Sequence, residues 1–172
     1  MSFDIDIDTS EIIETARRFD ATRDVIEDEV EETMWVSLSA FRQAIMTRTP
    51  TGATGHLKQS LTEPIINKVP TGFEGSVTFE SAYAPWAEEG RDPGKMPFPP
   101  DLELWVLRKG GASAADVRSA AFALAVHIAN NGTKGAHMVR DGFNSAEGRV
   151  RDYWRDIGGR IARRMEDKLQ NG

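Results

Sequence analysis

Six apolar residues, Ile26, Val30, Met34, Leu38, Phe41 and Ile45, recur at intervals of 4, 4, 4, 3 and 4. Those intervals place all six on one face of an α-helix. Glu27, Asp28, Glu31, Glu32 and Arg42 fall on the other face. Upstream, Ser10 is a residue type that caps helix starts, because its side-chain oxygen can accept a free backbone N–H. Pro50 stops the pattern, since the residue before a proline, here Thr49, is biased away from α geometry. The spacing predicts helix over residues 10–48, with a break near Phe19–Thr22 left open. An apolar face of this length must be covered by other elements, so it sets the plan of the fold.

Downstream signals are shorter. Thr51–Gly55 reads as a turn, with Thr54 as the cap of a short helical segment over 55–61. Residues 63–81 read as a hairpin: Ile65, Ile66 and Val69 precede Pro70-Thr71-Gly72, and Phe73, Val77 and Phe79 follow. Val77 and Phe79 alternate with Ser76, Thr78 and Glu80, which gives that strand one wet face. Residues 91–100 hold four prolines and are expected to form a projecting loop, followed by a short helix over 101–109. Ser113-Ala114-Ala115-Asp116 is a capping-box start. Val117, Ala121, Leu124 and Ile128 then share a helix face whose many alanines imply close packing. A last stripe, Val150, Trp154, Ile157, Ile161, Met165 and Leu169, predicts a C-terminal helix over 149–169. Gly158-Gly159 inside it costs roughly 1 kcal/mol per glycine against alanine, and is expected to permit close packing or a bend. Residues 2–9 alternate Phe3, Ile5 and Ile7 with Asp4, Asp6 and Asp8. That is a short strand or a flexible arm over 1–9, expected to order only against a neighbour. The resulting expectation is α+β, a single domain over 1–172. A small antiparallel sheet is packed by the long N-terminal helix, the alanine-rich helix and further helices.

Charge and composition narrow the function classes. Residues 1–32 hold 12 acids and 3 bases, a net of −9, while the whole chain stands at −6. So acidic a segment does not bind a phosphate backbone by electrostatics. It is a solvated face, or a surface that docks a basic partner or repels DNA. The chain has no cysteine, which excludes disulfides, thiolate metal sites and a thiol nucleophile. No apolar run approaches the roughly 18 residues of a membrane span, and the acidic N-terminus is unlike a secretory signal.

Signals for chemistry are poor. His56, His127 and His137 lie at no metal-ligand spacing. His127 is expected to be partly buried, and the other two to lie at the surface. No phosphate-cradling glycine loop, HExxH or Gly-x-Ser-x-Gly is present. Glu88-Glu89 is an adjacent carboxylate pair whose members point apart on a helix, better suited to an ion pair across a subunit boundary. The arginines of 149–164 are interleaved with acids, which suggests solvated pairing along the helix rather than a DNA-reading face. No enzyme activity, cofactor or metal is expected.

Three phrases remain. They are Pro50-Thr51-Gly52-Ala53-Thr54-Gly55-His56-Leu57-Lys58-Gln59-Ser60-Leu61, then Ser81-Ala82-Tyr83-Ala84-Pro85-Trp86-Ala87-Glu88-Glu89-Gly90, then Asn131-Gly132-Thr133-Lys134-Gly135-Ala136-His137-Met138-Val139-Arg140. In order and spacing they resemble the tail-completion, or neck, proteins of long-tailed double-stranded DNA bacteriophages. The resemblance covers roughly residues 30–145. Thr54, Gly55, Leu57 and Ser60 match the family's turn after its first long helix. Tyr83, Ala84, Glu88 (or Glu89) and Gly90 match its second phrase, and Gly132-Thr133 with Met138 match the third. The segment 91–131, with its own helix pair, is longer than in many members.

The resemblance implies a structural virion protein that joins capsid and tail as a ring around the DNA channel. The ring would be a hexamer, with a dodecamer as the other option. Its partners would be further copies, head-closure or adaptor proteins, and tail-terminator or tail-tube proteins. DNA would pass without specific binding, and no membrane would be involved. The protein would reside in the virion neck, and in the host cytoplasm during assembly. Tyr83, Trp86, Glu88, Glu89, Met96 and Phe98 are the expected subunit interface, with Glu27, Asp28, Glu31 and Glu32 as a separate acidic face. The alternative from another class is a small cytoplasmic helical regulatory or DNA-associated protein, and a more distant one is a hydrolase using Glu88 or Glu89.

Overall fold

The computed structural model describes residues 10–70 and 72–170, with side chains from Thr22 onward except Leu169. The alternating segment 2–9 lies outside the described residues. Helix α1 runs from Ser10 to Arg48 without the break considered near Phe19–Thr22. At ~1.5 Å per residue it is about 58 Å long. Short α2 (His56–Gln59) leads to strands β1 (Ile65–Val69) and β2 (Gly72–Ser76), then α3 (Ala84–Glu89) and β3 (Gly90–Arg91). Helices α4 (Pro99–Lys109) and α5 (Val117–Asn131) follow, then β4 (Thr133–Lys134), α6 (Met138–Arg155) and α7 (Ile157–Gln170). The architecture is α+β, with the small antiparallel pair β1–β2 laid on α1.

Two faces of α1 are used, and they differ in character. Met34 and Leu38, from the apolar stripe, face the hairpin. A Cβ added at Gly75 of β2 would lie 2.5 Å from Leu38 Cδ1 and 3.0 Å from Met34 Cε. The line packed by α6 and α7 is largely polar: Val25, Glu29, Thr33, Ser37 and Ala40 are buried. Near the C-terminal end of α1, Phe41 stacks on Phe143 of α6 with ring centroids 4.7 Å apart. There Gly142 lets the two backbones touch. A Cβ at that position would meet Ile45 Cγ1 at 2.7 Å, Cα at 2.8 Å and N at 2.9 Å.

Several local expectations change. The hairpin ladder is interrupted after Ser76 and resumes as a bridge between Leu61 and Phe79. Pro64, which has no N–H to donate, stands at the gap. The alanine-rich α5 packs on α4 rather than on the hairpin, with Val106, Ala121 and Ala125 the buried residues of that pair. The capping box read at Ser113 does not open the helix: α5 begins at Val117 with Asp116 at its N-cap position. The Ser113–Asp116 contacts (Asp116 N donating to Ser113 Oγ at 3.3 Å, the Ser113 hydroxyl donating to the Asp116 carboxylate at 2.6 Å) close a turn ahead of it.

The C-terminal segment is two helices, not the one expected over 149–169. The helical run is interrupted at the single residue Asp156, at φ −88° and ψ −1°, and α7 beyond it also packs on α1. Gly158 and Gly159 are not close-packing points, since a Cβ at Gly158 meets nothing within 4 Å and one at Gly159 meets only Asp156 Oδ1 at 3.6 Å. The arginines expected to pair only along their own helix divide their work. Arg151 pairs with Glu147 and Arg155 with Asp152, but Arg160 and Arg164 reach across to Glu29 and Glu32 of α1.

Candidate interaction site

The three phrases are distant in sequence and meet in space. Leu57 from the first, Ala84 and Ala87 from the second, and Met138 from the third form one buried cluster with Phe79 packed against it. Ser60 is buried beside it, with its hydroxyl donating to the Leu57 carbonyl at 2.8 Å. Thr54 is not itself the N-cap expected of it. Gly55 takes that position at φ 74°, and the Thr54 hydroxyl accepts the His56 N–H at 3.2 Å. Gly90 and Arg91 pair with Lys134 and Thr133, which joins the second phrase to the third. Gly90, at φ 86°, lies so close to the Thr133 carbonyl and the Gly135 N that a Cβ would collide with backbone.

Glu88 is engaged within its own chain. Its carboxylate accepts the N–H groups of Val139 at 2.8 Å and Arg140 at 3.1 Å. A helix start leaves such N–H groups without intrahelical partners and carries partial positive charge, so a carboxylate there is stabilised twice. Glu88→Ala should therefore destabilise the fold by about 1–2 kcal/mol, and Glu88→Gln, which keeps one acceptor oxygen, by less. Urea denaturation measures both, and an unchanged midpoint for Glu88→Ala would refute the cap. Glu89, its neighbour, is exposed.

The remaining expected interface residues come together. Short α3 buries Ala84 and Ala87 inward, which turns Tyr83 and Trp86 outward. The proline-rich loop does not project freely. Gly94 N donates to the Ala129 carbonyl at 2.7 Å, and the Arg91 guanidinium donates to the Lys95 carbonyl. Tied this way, the loop brings Met96 and Phe98 opposite α3. Tyr83, Trp86, Met96 and Phe98, with Leu102 and Ile128, line an open groove of about 860 Å³. Phe98 is 66% exposed and Tyr83 60%. Arg91, Lys95 and Asp101 border the groove. A second hollow, sharing Tyr83, Leu102, Ile128 and Thr133, extends it toward Trp105 and Lys134. Leu102, Ile128, Arg91 and Lys95 were not legible as site residues, because only the folded loop and the α4–α5 pair bring them to one place.

The acidic face is partly consumed within the chain. Glu27 pairs with Lys68 of the hairpin and with Arg23; those hydrogen bonds, Lys68 first, hold its carboxyl below the ordinary range. Glu32 pairs with Arg164, which is held above its ordinary value first by that hydrogen bond and then by the charge of Glu29. Asp28 and Glu31 are exposed beside them. The sequence reading missed Glu29, which is 2% exposed, and its partner Arg160. No local pattern marked the pairing: the acids at 29 and 32 stand three apart, the arginines at 160 and 164 four apart, and the two pairs lie on helices distant in sequence.

Among the described residues no group of three or more His, Asp or Glu is placed to hold a metal ion, and no helix is long and apolar enough to cross a membrane. His56 is exposed, as expected. His127 is exposed rather than partly buried, its ring 3.2 Å from the Asn131 amide nitrogen. His137 is half-buried in the left-handed conformation, at φ 48°, ahead of α6. Comparison with known protein families, curated proteins and solved structures finds no match to this chain.

Proposed function

We propose that this chain is a structural subunit of a bacteriophage neck, a tail-completion protein that self-associates into a ring and connects head to tail around the DNA channel. The observation that carries the reading is the exposed groove of Tyr83, Trp86, Met96 and Phe98. A contiguous apolar patch rimmed by charge marks a protein-contact surface. Its Tyr83 and Trp86 come from the second of the phrases that resemble the neck family, while most of its other lining comes from the segment 91–131. The meeting of the three phrases in one packed cluster beside it supports treating them as a unit. The proposal assigns the protein no chemical step. Its partners would be other copies, the head-closure or adaptor ring and the tail terminator or tube, within the virion neck and, during assembly, the host cytoplasm.

Two measurements test it. Purified full-length protein should sediment as a ring-sized species or co-purify with phage particles. Trp86→Ser combined with Phe98→Ser should leave far-UV circular dichroism unchanged and abolish the assembled species, because rigid, exposed aromatics contribute most of such contacts. A wild-type chain that stays monomeric at every concentration and never accompanies particles would refute the proposal.

A further inference from the structure

We infer that the groove is filled by the N-terminal segment of another copy, with Phe3, Ile5 and Ile7 on its floor and Asp4, Asp6 and Asp8 facing its basic rim. The inference rests on the reading of the chain as self-associating, and specifies how the copies join.

Chemistry comes first. Phe3, Ile5 and Ile7 alternate in sequence with Asp4, Asp6 and Asp8, so binding in an extended form would set three apolar side chains on one side and three carboxylates on the other. The groove offers the complement. Its floor is apolar and aromatic. Arg91 and Lys95 border it and Lys134 stands beyond, against a single acid, Asp101.

Reach then decides between the same copy and another. The groove belongs to the end of the molecule where α1 finishes. Ala84 and Ala87, beside Tyr83 and Trp86, pack in one cluster with Met138, one helical turn before Gly142, and Gly142 lies on Ile45. Arg108, at the end of α4, donates to the Ala53 carbonyl at 2.6 Å, just after that end of α1. From Ser10 to Ile45 the helix axis runs about 52 Å. Residues 1–9, fully extended, span only about 30 Å. The segment therefore falls roughly 20 Å short of its own groove along the helix. A neighbouring copy has no such limit. The contact joins one end of a copy to the other end of the next, which is heterologous and closes into a ring when the rotation allows.

The chain has no cysteine, so disulfide trapping reports only introduced pairs. Full-length Ile5→Cys mixed with full-length Met96→Cys should give a covalent dimer under mild oxidation that neither variant gives alone. The double variant should give a ladder of linked copies. An internally closed monomer from the double variant would overturn the inference, because the segment would then reach its own groove. As an independent readout, a peptide of residues 1–10 should bind full-length protein carrying Phe3→Ser, Ile5→Ser and Ile7→Ser. Binding should weaken about tenfold or more when the peptide carries the same three changes, and also weaken as salt rises. Rings that persist in the triple-serine protein, with no peptide binding, would refute this inference and leave the ring itself standing. Peptide binding by a protein that never accompanies particles would uphold the groove's occupant and refute the neck assignment.

Discussion

Gly142→Ala should lower the stability of the fold by about 3 kcal/mol, the upper part of the range for overpacking, and Gly142→Val by more. In an open helix the alanine change would stabilise, since glycine is about 1 kcal/mol worse there. At 142 the added carbon would sit 2.7–2.9 Å from Ile45, and two of the three nearest atoms are backbone, which has no rotamer to move into. The α1–α6 contact would have to separate and carry the Phe41–Phe143 stack with it. The same helix supplies its own control. Gly148 is exposed, and a Cβ added there would meet nothing within 4 Å, so Gly148→Ala should stabilise by roughly 0.5–1 kcal/mol. Urea midpoints moving in opposite directions for the two variants are the expected result. Equal, small shifts would mean that the helices are not in backbone contact at 142.

Arg160→Met should cost about 3–5 kcal/mol, because it removes the principal partner of a buried carboxylate. The Arg160 guanidinium donates to Glu29 Oε1, to Thr33 Oγ1 at 2.7 Å and to the Tyr153 carbonyl at 3.1 Å. Glu29 Oε2 lies 2.9 Å from Arg164 Nε, close enough for charge attraction but without the alignment of a hydrogen bond. Arg164 alone therefore compensates Glu29 only in part. The discriminating measurement is the double change, Arg160→Met with Glu29→Leu. Replacing both charges by apolar groups avoids the desolvation that the single change leaves uncompensated, so most of the loss should be recovered. A double variant as unstable as the two single losses added together would show that the pair is not coupled.

These two sites also show what the sequence made legible. The helix over 10–48, the hairpin turn and the helix beginning near Val117 follow from spacing and punctuation, which are local properties. The interface group was legible in part, because Tyr83 and Trp86 stand in one phrase and Met96 and Phe98 among prolines. That Glu88 caps α6 was not legible, since the N–H groups it accepts lie 51 and 52 residues away. Gly142 carries no signal, because it lies ahead of the helix expected over 149–169 and its role is the absence of a side chain at one crossing point. Glu29 was hidden by a neighbouring pattern. The apolar stripe at Ile26 and Val30 drew the face of α1, yet the most deeply buried line runs through Glu29, Thr33 and Ser37. Polar residues can occupy such a line only when a partner arrives from elsewhere, here α7, and no local rule anticipates that arrival.

The turn at Asp156 has a consequence for how the chain responds to its surroundings. It separates the last helix from α6, whose glycine and aromatic contacts bind it firmly to α1. What holds α7 is a set of ion pairs over half-buried Ile157, Ile161 and Met165. Salt screens the exposed Arg164–Glu32 pair, whereas the buried Arg160–Glu29 pair and the packing of α6 are screened much less. The molecule thus has a body held by close packing and a fastening of different chemistry. The fourteen residues of α7 are tied to α1 chiefly through two arginines, so α7 is anchored by charge where α6 is anchored by contact.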